Sequence, residues 1–95
     1  MDMGFEWDPR KAAANRKKHR LSFEEALTVF GDRLAHIFDD PDHSDTEARE
    51  IIVGHSVRQR LLVVSFVEQG ERVRIFSARK VTRRERKDYE DPESA

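Results

Sequence analysis

Residues 61–85, LLVVSFVEQGERVRIFSARKVTRRE, decide the fold. The run opens with branched, apolar and aromatic side chains that suit a central strand, and Gln69-Gly70-Glu71 makes a tight turn. "RVRIFSARKV" then returns as the antiparallel neighbour. Alternation places Val73, Ile75 and Ser77 on one face and Arg72, Arg74, Phe76 and Ala78 on the other. Thr82 and Glu85 form a T-x-x-E capping box, in which each side chain satisfies a backbone N–H at the helix start. A last helix is therefore predicted through about Tyr89, before a frayed tail, "DPESA".

Upstream, "RLAHIFDD" and "AREIIVGHS" read as strands joined by the turn-rich "PDHSDTE", and "VRQR" connects them to the central strand. Short connections imply an antiparallel meander of about four strands. Residues 4–7, "GFEW", read as a short first strand with Phe5 and Trp7 on one face. Asp8 before Pro9 is a helix N-cap, and the helix runs through three alanines to about His19, with basic residues in its last turn complementing the dipole. Ser22 and Glu25 make a second capping box, S-x-x-E, with Phe23, Ala26, Leu27 and Phe30 on the buried stripe and Gly31 as the C-terminal stop. Strand, two helices, meander and helix describe one α+β domain over residues 1–95, ordered over about 5–90, with its helices on one face of the sheet.

Bulk properties exclude more than they identify. A chain of 95 residues holds one core. It has no cysteine, which rules out disulfides and thiolate metal sites and fits a reducing cytoplasm. No signal peptide or membrane-length apolar run is present, so a cytoplasmic protein away from membranes is expected. Net charge is only -1, yet residues 9–21 carry six bases and no acid, residues 24–50 are acidic, and residues 71–87 hold eight bases against Glu71 and Glu85. Two basic blocks sharing a surface would attract a polyanion in a salt-dependent way; the alternative is charge spread for solubility.

Ser77 and Arg79, two apart on a strand, point to one side, where a guanidinium fork and a hydroxyl suit a phosphate. Equally, Ser77 is a small packing residue and Arg79 an ion-pair partner. Histidine suits proton transfer near neutral pH. His19 is either a helix cap or a catalyst, while His36 and His55 alternate with apolar residues and are expected to be structural or edge residues. No two histidines lie three or four apart, so no metal and no other cofactor is expected. Phosphate-loop, nucleophile-elbow and zinc-knuckle motifs are absent.

Four blocks, "FEWDPRKAAANRKKHRLSFEEALTVFGD", "DHSDTEAREIIVGHS", "RLLVVSF" and "RVRIFSARKVTRRERKDYE", together resemble the BrnT family, the toxin half of a bacterial type II toxin-antitoxin pair. The resemblance spans residues 5–90. It implies a RelE-like fold and an endoribonuclease that arrests translation. Its implied partner is a BrnA-type ribbon-helix-helix antitoxin, through which alone the complex binds operator DNA and represses its operon. Trp7, Lys11, Asn15, Lys18 and His19 match the first block, Arg60 the approach to the central strand, and Ser77, Arg79, Glu85, Arg86 and Tyr89 the last. Two departures stand out: Arg20 and Gln59 occupy positions where the family commonly has glycine.

Such an enzyme would use cations to stabilise charge on phosphorus. The expected catalytic set is Arg60 and Arg79 on the phosphate, Ser77 as hydrogen-bond partner, and Lys18 or His19 as proton-transfer group or clamp. Trp7, Lys11, Asn15, Lys17, Arg83 and Arg86 are expected to bind RNA. The competing readings are a non-catalytic nucleic-acid-binding or corepressor module, and a protein that docks a basic partner on its acidic strip.

Overall fold

A computed structural model describes residues 4–40 and 48–90. The expected turn-rich loop and the C-terminal tail lie outside the described residues. The elements are β1 (Phe5–Glu6), α1 (Pro9–His19), α2 (Phe23–Leu27) continuing as a 3-10 turn (Thr28–Gly31), β2 (His36–Asp39), β3 (Arg49–His55), β4 (Leu61–Gln69), β5 (Arg72–Lys80) and α3 (Arg83–Glu90). They form a five-stranded sheet in the order β1-β5-β4-β3-β2. β2 to β5 are the antiparallel meander, and β1 adds to β5 in parallel, so the sheet is mixed. Glu6 fastens that junction by binding Arg72 at 2.6 Å and Arg74 at 3.0 Å. The α+β architecture is the expected one. No described helix is long and apolar enough to cross a membrane.

Local signals act where they were read. Asp8 accepts the Arg10 N–H at 2.8 Å and Pro9 opens α1. Ser22 Oγ accepts the Glu25 N–H at 3.0 Å to open α2. Gly31 is not a left-handed stop, however: it ends the 3-10 turn, and Asp32 halts the helix by turning extended. The Asp32 side chain then accepts the Leu34 N–H, and this local turn delays β2 until His36.

Leu21, Phe23, Ala26 and Val29 pack against Ile52, Leu62, Val64, Phe66, Ile75 and Ala78, with Phe5, Trp7 and Phe30 at the margin. Phe5 lies against Phe30, and Trp7 meets Phe23 edge-on. Strict alternation fails on β5. Ser65 pairs with Ser77 but Phe66 pairs with Ile75, so Phe76 is the extra residue of a bulge. The bulge turns Ala78 into the core beside Ile75 and leaves Ser77 exposed.

The helices do not all share a face. Because Leu62, Val64 and Phe66 face α1 and α2, Leu61, Val63, Ser65 and Val67 face the other way. Arg79 is paired in register with Val63, and it binds Glu85 of α3. α3 therefore lies on the second face, the face to which Leu61 and Val63, buried outside the main cluster, also point. The helix is too polar to join the core, and the Arg79–Glu85 pair draws it across the strands.

Candidate nucleic-acid interface

Two residues taken as site candidates are spent inside the fold. Asn15, on α1, is 7% exposed. Its Nδ2 donates to the carbonyls of Ala78 at 2.9 Å and Leu21 at 3.2 Å, and its Oδ1 accepts the Ala78 N–H at 3.1 Å. A side-chain amide thus completes the edge of β5 beyond the two-residue β1, as another strand would. Arg60 binds Glu25 through Nε at 2.9 Å and through Nη2. Ser56 Oγ donates to the same carboxylate at 2.7 Å. Arg60 therefore faces α2, whereas Arg79 faces α3: the sheet separates the two arginines expected to share one phosphate.

On the second face the strand registers place side chains in rows. His36, Val53, Val63 and Arg79 form one row, and Phe38, Ile51, Ser65 and Ser77 the next. α3 covers part of the first row. The second row is open at both ends, with Ser77 exposed on β5 and Phe38 51% exposed on β2. Beside it, the Arg49 guanidinium sits 3.8 Å above the Phe76 ring, which also takes the Lys11 ammonium at 5.0 Å. Arg79 is bidentate with Glu85, at 2.8 and 2.9 Å. These bonds hold the Glu85 carboxyl far down, at about 2, and raise Arg79.

Asn15 brings α1 against β5, so the cationic C-terminal turn of that helix ends near this strand. Lys17 and Lys18 are exposed and His19 half-buried. Trp7 is half-buried against the core, while Arg83 and Arg86 project from α3 into solvent. Arg20 closes α1 in the left-handed conformation, φ 58°, by donating its N–H to Arg16 at 2.8 Å. Gln59 adopts φ 64° in the β3–β4 turn. Among the described residues these are the non-glycine positions with positive φ, and both are positions where the resemblance placed glycine.

This arrangement joins an open sheet face, a flanking cationic helix end and a strand-borne serine–arginine pair. The family model for the ribonuclease toxin BrnT of type II toxin-antitoxin systems matches residues 7–85. The chain belongs to the BrnT family. Among solved structures, the crystal structure of the Brucella abortus ribonuclease toxin BrnT is similar in fold, with a TM-score of 0.68 and 21% identity. The match covers 86% of this chain and 100% of that one. No curated protein matches the sequence. Membership in the BrnT family makes this a ribonuclease toxin of a type II system, with an antitoxin as its partner.

Sequence reasoning missed one group of residues on the same face. Tyr89 of α3 meets the rings of His36 on β2 and His55 at the end of β3, with centroids 5.3 and 5.9 Å away. Asp32 joins them, its Oδ2 accepting the His55 N–H at 2.7 Å and lying 3.8 Å from His55 Nδ1. The backbone N–H groups of His55 and Leu34 hold the Asp32 carboxyl below its ordinary range. Burial, and then the Asp32 charge, raise the Tyr89 phenol. No spacing rule connects residues 32, 36, 55 and 89; only the crossing of α3 over the sheet does.

Proposed function

We propose that this chain is a metal-independent endoribonuclease that cleaves RNA through the ribose 2'-OH and so inhibits translation in the cytoplasm. A BrnA-like ribbon-helix-helix antitoxin neutralises it, and operator DNA is reached only through that antitoxin. The observation that carries the reading is the open second face of the sheet beside Ser77 and Arg79, in a chain of the BrnT family. Its cationic rim suits a flexible polyanion, and Phe38 offers an exposed ring for an unpaired base.

In this reading Arg79 and Ser77 hold a backbone phosphate. Lys17, Lys18 and His19 clamp the strand at the end of α1, and Lys11, Arg83 and Arg86 add to the field. Arg79 meets the phosphate while still paired to Glu85, whose carboxylate fixes the orientation of the guanidinium. Asn15, Arg60 and Trp7 support the fold from which these groups project.

The test is RNA cleavage by the purified protein in EDTA, with folding followed by circular dichroism. Arg79→Ala is expected to lose most activity while folded; unchanged cleavage overturns the role of Arg79. Glu85→Gln separates two meanings of a loss. Parity with Arg79→Ala means that the pair only holds α3, whereas RNA affinity kept in Glu85→Gln and lost in Arg79→Ala supports phosphate contact. Growth arrest on expression, relieved by co-expression of the adjacent gene, tests the toxin-antitoxin relation.

A further inference from the structure

We propose that Asp32, His36, His55 and Tyr89 form the proton-transfer centre for RNA cleavage, with His55 as general base and His36 as general acid. This rests on the ribonuclease reading above and names the groups that move its protons.

Geometry distinguishes this cluster from scattered surface histidines. Two imidazoles from different strands flank one phenol, and all three rings are accessible from the second face: His36 is exposed, and His55 retains 38% side-chain exposure. The phenol donates to the Leu34 carbonyl at 3.0 Å. This bond anchors the C-terminal end of α3 beside β2 and leaves the phenol oxygen able to accept. Asp32 is half-buried, ionised and fixed by two backbone donors, so it lies on the Nδ1 side of His55 as a stationary charge. A carboxylate there favours the proton on Nδ1 and leaves Nε2 as the acceptor. His36 has its ring stacked against Phe38, 6.2 Å between centroids at 17°, beside the open second row. The cluster reads as an acid–base site because two imidazoles, a carboxylate and a phenol meet there.

The chemistry balances without a further reactant. His55 Nε2 takes the proton of the 2'-OH, and the 2' oxygen forms a bond to phosphorus. The bond from phosphorus to the 5' oxygen breaks, and protonated His36 gives that oxygen its proton. The products are a 2',3'-cyclic phosphate and a 5'-hydroxyl, after which solvent exchange restores both imidazoles. Arg86, exposed three residues before Tyr89 and in contact with Glu90 at 3.4 Å, shares that side of α3 and adds positive potential for the phosphate. Arg79 stands about three strand spacings from His36, ~14 Å, so it would hold a neighbouring phosphate of the same strand. Among the described residues, the charged and titratable groups facing the imidazoles are Asp32, just after the 3-10 turn, and Tyr89 of α3, with exposed Arg86 on the same side of that helix.

The full chain is assayed in EDTA on a labelled mixed-sequence oligoribonucleotide, and on the same oligonucleotide with sulfur replacing one 5' bridging oxygen. His36→Gln and His55→Gln are each expected to slow cleavage of the oxygen substrate by about 10²-fold or more, with RNA binding and melting temperature preserved. Each should also remove one limb of a bell-shaped pH profile. A thiolate leaves without protonation, so the sulfur substrate should restore His36→Gln and not His55→Gln. Ile37→Ala, on the same strand but facing away, should stay within about twofold of the parent. If the parent cleaves and both histidine variants match it, the acid–base assignment is overturned. Rescue of His55→Gln, or of neither variant, overturns the assigned roles. A parent that cuts no RNA overturns the ribonuclease reading itself, a separate result.

Discussion

The two capping boxes of this chain, Ser22-x-x-Glu25 and Thr82-x-x-Glu85, share a pattern and differ in use. At Thr82 the box closes both ways: Thr82 Oγ1 accepts the Glu85 N–H at 3.1 Å, and Glu85 accepts the Thr82 N–H at 2.8 Å. Arg79 joins from outside, and the pair stays in contact with solvent, its side chains 39% and 38% exposed. At Ser22 only the serine half forms. The Glu25 carboxylate turns away to Arg60 and Ser56 and is 6% exposed. A helix start depends on local bonds, but the environment of its glutamate depends on what packs against it. α2 is pressed onto the sheet, so its glutamate is drawn inward to the nearest cation. α3 lies outside, so its glutamate completes the cap.

The largest expected effect breaks the buried member. Glu25→Ala leaves Arg60 and Ser56 without their acceptor, and urea unfolding should show a loss of about 3–5 kcal/mol. Asn15→Ala, which opens the β5 edge and removes three hydrogen bonds, should cost about 2–3 kcal/mol by the same measurement. Hydrogen exchange should then rise at Ala78 ahead of the rest of β5.

Glu85→Gln should cost only about 0.2–1 kcal/mol at neutral pH, because solvent screens the pair. Acid sharpens the contrast. The Glu85 carboxyl is pushed from the usual 4.5 down to about 2, first by Arg79, so its contribution is complete above 4.5 and fades as pH falls towards 2. Glu25 is lowered too, first by Arg60, and has the same sign. Stability should therefore fall on acidification through this window in the parent, and Glu85→Gln should flatten the slope without abolishing it. A slope unchanged by the substitution would mean that the outer pair is not formed in solution.

The smallest expected change is a gain. Arg20→Gly relieves a side chain held at φ 58° and loses some of that advantage to backbone entropy, leaving about 0.5–1 kcal/mol in its favour. Gln59→Gly should act similarly, and thermal melting checks both.

Much of the fold was legible because its signals are local. Asp8-Pro9, Ser22 and Thr82 start helices by satisfying N–H groups within a turn, and Gly70, at φ 64°, makes the β4–β5 turn. Arg20 and Gln59, noted as departures from family glycines, are the two non-glycine positions among the described residues that the structure holds at positive φ. Less of the site was legible. Ser77 and Arg79 do share a side, but the bulge at Phe76 put Ser77 and Ala78 on faces opposite to those expected, because an extra residue shifts alternation without altering composition.

The sequence by itself determined where each helix begins, the order of helices and strands, which residues are apolar enough to pack, and the family to which the chain belongs. Tertiary structure alone decided that Arg60 and Arg79 serve opposite faces, that Asn15 completes a strand edge, and that α3 carries Tyr89 to His36 and His55. The physical reason is range. Caps and turns are settled by bonds between neighbours in the chain, whereas the partner of a buried carboxylate or an imidazole is whatever cation, carboxylate or ring the packed sheet brings within a few ångströms.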